Sequence, residues 1–441
     1  MQLSSLLGHT QELLGKIRAS SRPADSLIDS FFRSHKYLGS HDRRFIAETA
    51  YGTLRHLRKC DFLLQRALGK ESVDVKREDA HLLLAVTYLI AVEKRAIPAE
   101  DVASKTASHE LRKNLAAVLG DLAKDTPPSD LENAERIGVE YSYPTWLVQK
   151  FIDEFGSEEA ENICRSLNEP APLTLRANSL KTTVEQCQEE LGKEGIQTTR
   201  TLYSPYGLNV GKRINIFGLE SFQDGKFEVQ DEGSQLLPSL IDPKPTSKIL
   251  DACAGAGGKT LAFAALMKNR GEIFATDTNG YRLRELKKRS RRAGAFNIRP
   301  MEVTSLSELP DKFRGYFDVV FVDAPCSGLG TIRRNPGLKW TVTEETVSEV
   351  SEKQFTILRQ CASLVKPGGR LVYATCTLLR QENEDVVSRF VREVNGFGAV
   401  DPESMLARLK IPSANSGTFI RLLPHIHGTD GFFCAMLVKS S

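Results

Sequence analysis

Cysteine is sparse in this 441-residue chain: eight residues, at positions 60, 164, 187, 253, 326, 361, 376 and 434, with no CxxC pair among them. That spacing argues against a disulfide scaffold and against a zinc site, so no metal is expected. Neither sign of charge dominates. Lys plus Arg number 59 and Asp plus Glu 56, and the resulting +3 is too small for the chain as a whole to imply a polyanion partner. Long hydrophobic runs are missing as well. The longest, His81–Val92, is too short and too polar to cross a bilayer, so no membrane association is expected. The first twenty residues carry no basic, apolar and small-residue sequence of a secretory signal, which predicts a cytoplasmic protein with reduced thiols. At this length more than one core is required.

What is present changes texture twice. Residues 1–125 read as helical throughout: Ala47, Ala50, Tyr51, Leu54 and Leu57 recur at helix spacing. His81–Val92 reads as a buried helix, and Pro98 opens another with Glu100 and Asp101 in its first turn. Paired prolines mark a linker around Lys124–Asp130. Residues 126–236 then read as a small α+β region. It has an amphipathic helix over Thr145–Leu167, a strand Leu173–Ala177, a helix Val184–Glu194 and short strands near Leu202 and over Phe227–Val229. Over 237–441 the apolar runs Ile249–Ala252, Glu272–Thr276, Phe317–Val322 and Arg370–Ala374 alternate with helical stretches. That rhythm predicts an α/β domain with a doubly wound, mostly parallel sheet and ligands at the strands' carboxyl ends.

The first of these strands ends in Asp251-Ala-Cys-Ala-Gly-Ala-Gly-Gly-Lys-Thr260. Its glycines allow a tight turn and close approach of a ligand to a helix N-terminus. The spacing before Gly258-Lys259-Thr260 is too short for a Walker A loop, and Thr260 occupies the last position of a dinucleotide fingerprint, so neither phosphate-binding pattern applies. Asp277 ends the next strand, where a carboxylate can take both hydroxyls of a ribose, or simply cap a helix. Residues 281–300 hold eight basic residues and one acid, 8 − 1 = +7, a density compatible with polyanion contact or with a solvated face. Two later strands run into Asp323-Ala-Pro-Cys326 and Ala374-Thr-Cys376, so two thiols meet at neighbouring strand ends. Inert buried thiols or a nucleophile with a partner both remain open at this point.

Together, Asp251-Ala-Cys-Ala-Gly-Ala-Gly-Gly-Lys-Thr260, Asp323-Ala-Pro-Cys-Ser-Gly and Ala374-Thr-Cys-Thr377 resemble the RNA cytosine-5 methyltransferases of the Sun/Nol1/Nop2 family. Further matches are Arg176-Ala-Asn178, Val229-Gln-Asp-Glu-Gly-Ser-Gln235, Ile332-Arg-Arg-Asn-Pro336 and Asp430-Gly-Phe-Phe433. Gly39–Arg55 with Ile97-Pro-Ala resembles a helical NusB-like RNA-binding domain. The resemblance implies a NusB-like domain over 1–125, an RRM-like region over 126–236 and a class I, Rossmann-like methyltransferase domain with a mostly parallel seven-stranded sheet over 237–441. It further implies a monomer acting on RNA, with small-subunit ribosomal RNA as target and S-adenosylmethionine as methyl donor.

Residue by residue, it makes Cys376 the nucleophile, Cys326 the thiol that aids proton loss and release, and Asp323 a hydrogen-bonding partner of the N3/N4 base edge that, if protonated, stabilises charge developing on the ring. Cys253, Ala254, Gly255, Ala256, Gly257, Gly258 and Lys259, with Asp277, Thr304 and Asp323, would hold the cofactor. Arg176, Asn178, Arg289, Arg291, Arg292, Arg333 and Arg334 would meet RNA. Two positions depart from the family: Ala256 replaces a proline, and Thr304 stands where an aspartate is usual, with Glu302 as an alternative. The rival readings are a non-catalytic, antitermination-like RNA-binding regulator, and a methyltransferase acting on tRNA or another RNA, on an exocyclic amine or on protein.

Overall fold

A computed structural model describes residues 1–20, 22, 24–71, 77–124, 131–211, 214–412 and 417–441; all but Lys124 of the expected proline linker lies outside them. By packing, the chain divides into two compact units, residues 1–169 with 332–342, and residues 170–331 with 343–441. The sequence boundaries near 125 and 236 therefore differ from the packing boundaries.

The first unit is helical, in keeping with its periodicity. Helix Ser40–Arg55 buries Ile46, Ala50 and Leu54, and the buried run 81–92 is a helix, Arg77–Thr87, that widens into a π turn over Tyr88–Val92. The predicted single helix Thr145–Leu167 is two, Thr145–Phe155 and Ser157–Leu167. Gly156 breaks it at φ 82, a left-handed conformation costly for other residues. The segment Ile332–Val342 is built into this unit. Trp340 Nε1 donates to the Leu54 carbonyl at 2.8 Å, and the enclosed Lys339 Nζ donates to the Arg55 and Tyr141 carbonyls at 3.0 and 3.3 Å. Lys339 also lies 3.8 Å from the Tyr143 ring centroid, and burial pushes its pKa well below the usual lysine range.

The second unit opens with β1 (Leu173–Ala177), β2 (Thr198–Arg200), β3 (Gly207–Val210) and β4 (Phe227–Val229). They form an antiparallel sheet in the order β2-β3-β1-β4. Helices Val184–Lys193 and Glu220–Gln223 follow β1 and β3, which is the ferredoxin-like βαββαβ arrangement. Leu202, expected in a strand, is exposed in the turn after β2, and β3 gave no sequence signal.

The larger sheet holds β5 (Lys248–Asp251), β6 (Glu272–Asp277), β7 (Ile298–Glu302), β8 (Phe317–Asp323), β9 (Val365–Thr375), β10 (Phe397–Ala399), β11 (Ile420–Leu422) and β12 (Phe432–Lys439). Among the described residues it has eight strands and is mixed, which corrects the seven-stranded expectation. Only β9-β8-β5-β6-β7 are mutually parallel. β12 pairs antiparallel with β9, and the short strands β10 and β11 share its outer edge. Strand order reverses between β5 and β8, the switch point at which a crevice opens outside the carboxyl ends.

Candidate active site

The glycine loop lies at that crevice. Gly257, at φ 86, caps helix Gly258–Leu266, and a Cβ there would sit 2.0 Å from Leu286 Cδ1. Close approach of the next helix, Gly280–Ala293, therefore requires glycine. That helix starts at the Asn279 cap, ends at Gly294 in the left-handed conformation and buries Leu283, Leu286, Ser290 and Ala293. Asp277 accepts from Gly255 N at 2.9 Å through Oδ2 and from Asn279 N at 2.8 Å through Oδ1. Each oxygen keeps a second lone pair for a ligand hydroxyl. Asp251 accepts from Thr260 Oγ1 at 2.7 Å through Oδ2, while its buried Oδ1 has no partner. Burial pushes Asp251 up to about 7, against the Thr260 bond.

Beside this loop the two predicted thiols converge, Cys326 Sγ lying 3.3 Å from Cys376 Sγ. Cys326 follows β8 and Cys376 follows β9, and Ala324 N donates to Ala374 O at 2.9 Å between the strand ends. Lys259 Nζ donates to Asp323 Oδ2 at 2.6 Å and lies 5.6 Å from the centre of the Phe432 ring. Burial opposes the Lys259 charge, yet the Asp323 carboxylate outweighs it and raises the pKa; Cys376 adds in the same direction. In this arrangement Asp323 is the ion-pair partner of a lysine. The Cys326 thiol is pushed well above its ordinary range, first by its bond to Cys376, then by burial. Cys253 is also pushed up, by burial.

Other predicted residues lie elsewhere. Thr304 donates its backbone N–H at 3.1 Å, and its hydroxyl, to Glu308 in its own turn. Glu302 pairs in register with Asp277 across β6 and β7, and its carboxylate packs against Gly280. Arg176 is enclosed and donates to Gln230 Oε1 at 2.7 Å. Asn178 Nδ2 donates to the Gly225 and Ala293 carbonyls, both at 2.8 Å. Arg289 donates to Glu228 Oε2 through Nε (3.2 Å) and Nη2 (2.9 Å), and to the Ala256 carbonyl through Nη1 (2.8 Å). Arg292 Nη2 joins the same carboxylate at 2.5 Å. Arg176, Asn178, Arg289 and Arg292, all expected at RNA, are thus committed to bonds within the protein.

Arg291 is exposed and lines an open groove of about 490 Å³ with Lys181, Gln223, Asp224, Lys226 and Arg292. Arg333 and Arg334 belong to the helical unit; Arg333 is buried there and its carbonyl accepts from Arg55 Nη2 at 2.9 Å. The Val229–Gln235 motif is a structural knot. Asp231 caps helix Glu232–Ile241, and Gln235 Nε2 donates to the Leu175 and Gln230 carbonyls. Sequence reasoning missed Glu382, an enclosed carboxylate behind the Cys326 turn, whose only signal is its place six residues after Cys376.

The doubly wound sheet, the glycine loop and the ribose-type aspartate define a methyltransferase of Rossmann type, here carrying a ferredoxin-like domain. A family model for the 16S rRNA methyltransferase RsmB/F matches residues 238–438, and its ferredoxin-like domain matches 143–217. The "Probable ribosomal RNA small subunit methyltransferase B" of Bacillus subtilis (strain 168) is 33% identical over 451 residues, covering 100% of both chains. The crystal structure of PH0851 is 27% identical, covers 100% of this chain and 99% of its own, and superposes with a TM-score of 0.79. That of NSun6 from Pyrococcus horikoshii with SFG is 25% identical, covers 68% and 98%, and gives a TM-score of 0.60. The chain belongs to the RsmB/F family of rRNA methyltransferases, and its methyl donor is S-adenosylmethionine. The residues fit that donor, with Asp277 presenting free lone pairs, a backbone-lined glycine loop, and an unpartnered Asp251 oxygen beneath it.

Proposed function

We propose that the protein methylates C5 of a cytosine in small-subunit ribosomal RNA through a covalent bond between Cys376 and C6. The observation that carries this reading is the contact of the two thiols, 3.3 Å apart, beside the Lys259–Asp323 pair. A methyltransferase acting on an amine has no use for a nucleophilic thiol, whereas C5 of cytosine is too weak a nucleophile to react unaided.

Bound S-adenosylmethionine supplies an electrophilic methyl group. Asp277 orients the ribose, and the 253–259 loop holds the methionine end. The Cys376 thiolate adds to C6, and the C5–C6 electron pair becomes an enamine able to attack the methyl carbon. Asp323 accepts from the exocyclic amine of the base while Lys259 offsets negative charge gathering on the ring. The C5 proton then leaves to a water, a transfer that Cys326 assists, and the C5–C6 double bond reforms as Cys376 departs with its electron pair. Such a pocket requires a base that is flipped or unpaired. Arg291, Lys181 and Lys226 would meet phosphates at the groove, and the helical unit is read as a NusB-like RNA-binding domain in a cytoplasmic monomer.

The test is a denaturing gel of Cys326→Ala and Cys376→Ala with small-subunit rRNA and S-adenosylmethionine. A stable protein–RNA adduct is expected with Cys326→Ala and none with Cys376→Ala. Methylation persisting in both without an adduct would reject thiol catalysis, and the reverse pattern would exchange the two roles.

A further inference from the structure

Glu382 takes no part in the steps above, yet it is fully enclosed next to them. Its Oε2 accepts from Ser327 N at 2.8 Å and from Gln354 Nε2 at 3.1 Å, and its Oε1 accepts from the Ser327 hydroxyl. That hydroxyl is 3.0 Å from Thr377 Oγ1, and Gln354 Nε2 also donates to the Pro325 carbonyl at 3.0 Å. The residues on both sides of Cys326 and the residue after Cys376 are therefore tied to one carboxylate. The donors that reach it are neutral. Two residues on, by contrast, Glu384 pairs with Arg421. Enclosing a charge without a cation is costly, and a neutral side chain could fill a purely structural place at less expense.

We propose that Glu382 is a positioning residue for the thiol pair, clamping the Cys326 turn to the Cys376 strand end and setting a negative charge behind Cys326. The inference rests on the thiol roles given above. It supplies what those roles leave unexplained, namely why two touching thiols behave differently. Cys326 backs onto Glu382 and faces Cys376, whereas Cys376 faces the Lys259 ammonium. The other titratable group at Cys326 is the Tyr373 phenol, which donates to the Glu382 carbonyl oxygen and is itself pushed up by burial. Glu382 charge adds to the upward shift of Cys326, while burial pushes Glu382 up and its bonds to Ser327, Thr377 and Gln354 pull it back. Negative charge behind one thiol and positive charge beside the other give the two touching sulfurs opposite electrostatic surroundings, and the charge behind Cys326 favours keeping the proton on it.

The test is alkylation of the full-length, RNA-free protein by iodoacetamide across pH 6–10, with both thiols quantified by mass spectrometry. Glu382→Gln keeps size and an acceptor but removes the charge. Its Cys326 profile should move to lower pH, with alkylation at pH 8 about three- to tenfold faster, and Cys376 should change less. A Cys326 profile superposing on the parent's would overturn the charge argument. Ser327→Ala keeps the charge, cuts the hydroxyl bonds and tests the clamp even where Glu382→Gln does not fold. Its single-turnover methyl transfer should fall about tenfold with S-adenosylmethionine affinity unchanged, and a parental rate would overturn the clamp. Because alkylation needs no RNA, these results separate from the thiol reading itself. That reading would instead fail through methyl transfer surviving in Cys376→Ala, with the Glu382→Gln profile still shifted.

Discussion

Replacing Arg289 with Gln separates a structural arginine from an RNA-binding one. The side chain makes three bonds, two to Glu228 and one to the Ala256 carbonyl in the cofactor loop. Glu228 is almost enclosed at 4% side-chain exposure and would be left with Arg292, while Arg289 itself is 23% exposed. Hydrogen bonds to charged groups contribute about 1.5–3 kcal/mol each in isolation. They are not additive, and partial exposure of the arginine weakens the pair. A loss of about 2–4 kcal/mol is therefore expected for the region joining β4 to helix Gly280–Ala293. Hydrogen exchange of peptides over 227–229 and 280–293 reads it directly. Release of Ala256 should also loosen the glycine loop and weaken S-adenosylmethionine by about fivefold, or about 1 kcal/mol, in a calorimetric titration. RNA affinity at fixed, saturating cofactor should hardly move. Unchanged exchange and cofactor affinity, with RNA binding weakened and a shallower salt dependence, would refute this reasoning and restore Arg289 to the phosphates.

Three further outcomes are expected. Asp277→Asn should weaken S-adenosylmethionine about tenfold, since charge-assisted bonds to the ribose are lost; an unchanged dissociation constant would remove Asp277 from the site. Arg291→Gln, exposed at the groove, should lower affinity for all RNAs and flatten the salt dependence, with no loss of stability; a parental salt slope would make it a solvated residue. In the helical unit, His56 is lowered to about 3, chiefly by burial and then by the charges of Lys339, Arg55 and Lys59. Between pH 6.5 and about 3 the unfolded chain binds a proton that the folded chain refuses, so stability falls as pH falls. His56→Gln should lessen that slope by up to about 1.4 kcal/mol per pH unit. Both tryptophans, Trp146 and Trp340, lie in the helical unit, so their fluorescence during urea unfolding reports it; equal slopes would refute the assignment.

The candidate crevice was legible in the sequence because its parts are local. A glycine loop, a strand-terminal aspartate and two strand-terminal cysteines each announce themselves within ten residues, and a doubly wound order brings strand ends together. Contacts made across long separations were not legible. Arg289 and Arg292 look like a polyanion surface until β4 brings Glu228 from 61 and 64 residues away. Asp323 looked like a lone acid because Lys259, its partner, stands 64 residues earlier. Glu382 reads as one more acid in Gln381-Glu-Asn-Glu-Asp385, and only the fold turns it inward. The missed antiparallel edge has a different cause. Strands β10 and β11 have three residues each, too few to show a period of two, and they exist because β12 offers them an edge.

The anchoring of Lys339 and Trp340 in the helical unit bears on how the chain is made. A ribosome delivers residues 1–169 first, but the segment 332–342 that completes that unit emerges only 342 − 169 = 173 residues later. At roughly 5–20 residues per second this is a delay of about 9–35 s. Throughout it the Leu54, Arg55 and Tyr141 carbonyls lack the donors that Trp340 and Lys339 will bring. The helical unit is therefore begun first yet completed only once residue 342 has emerged, and nascent chains halted before that residue would leave those carbonyls without these donors.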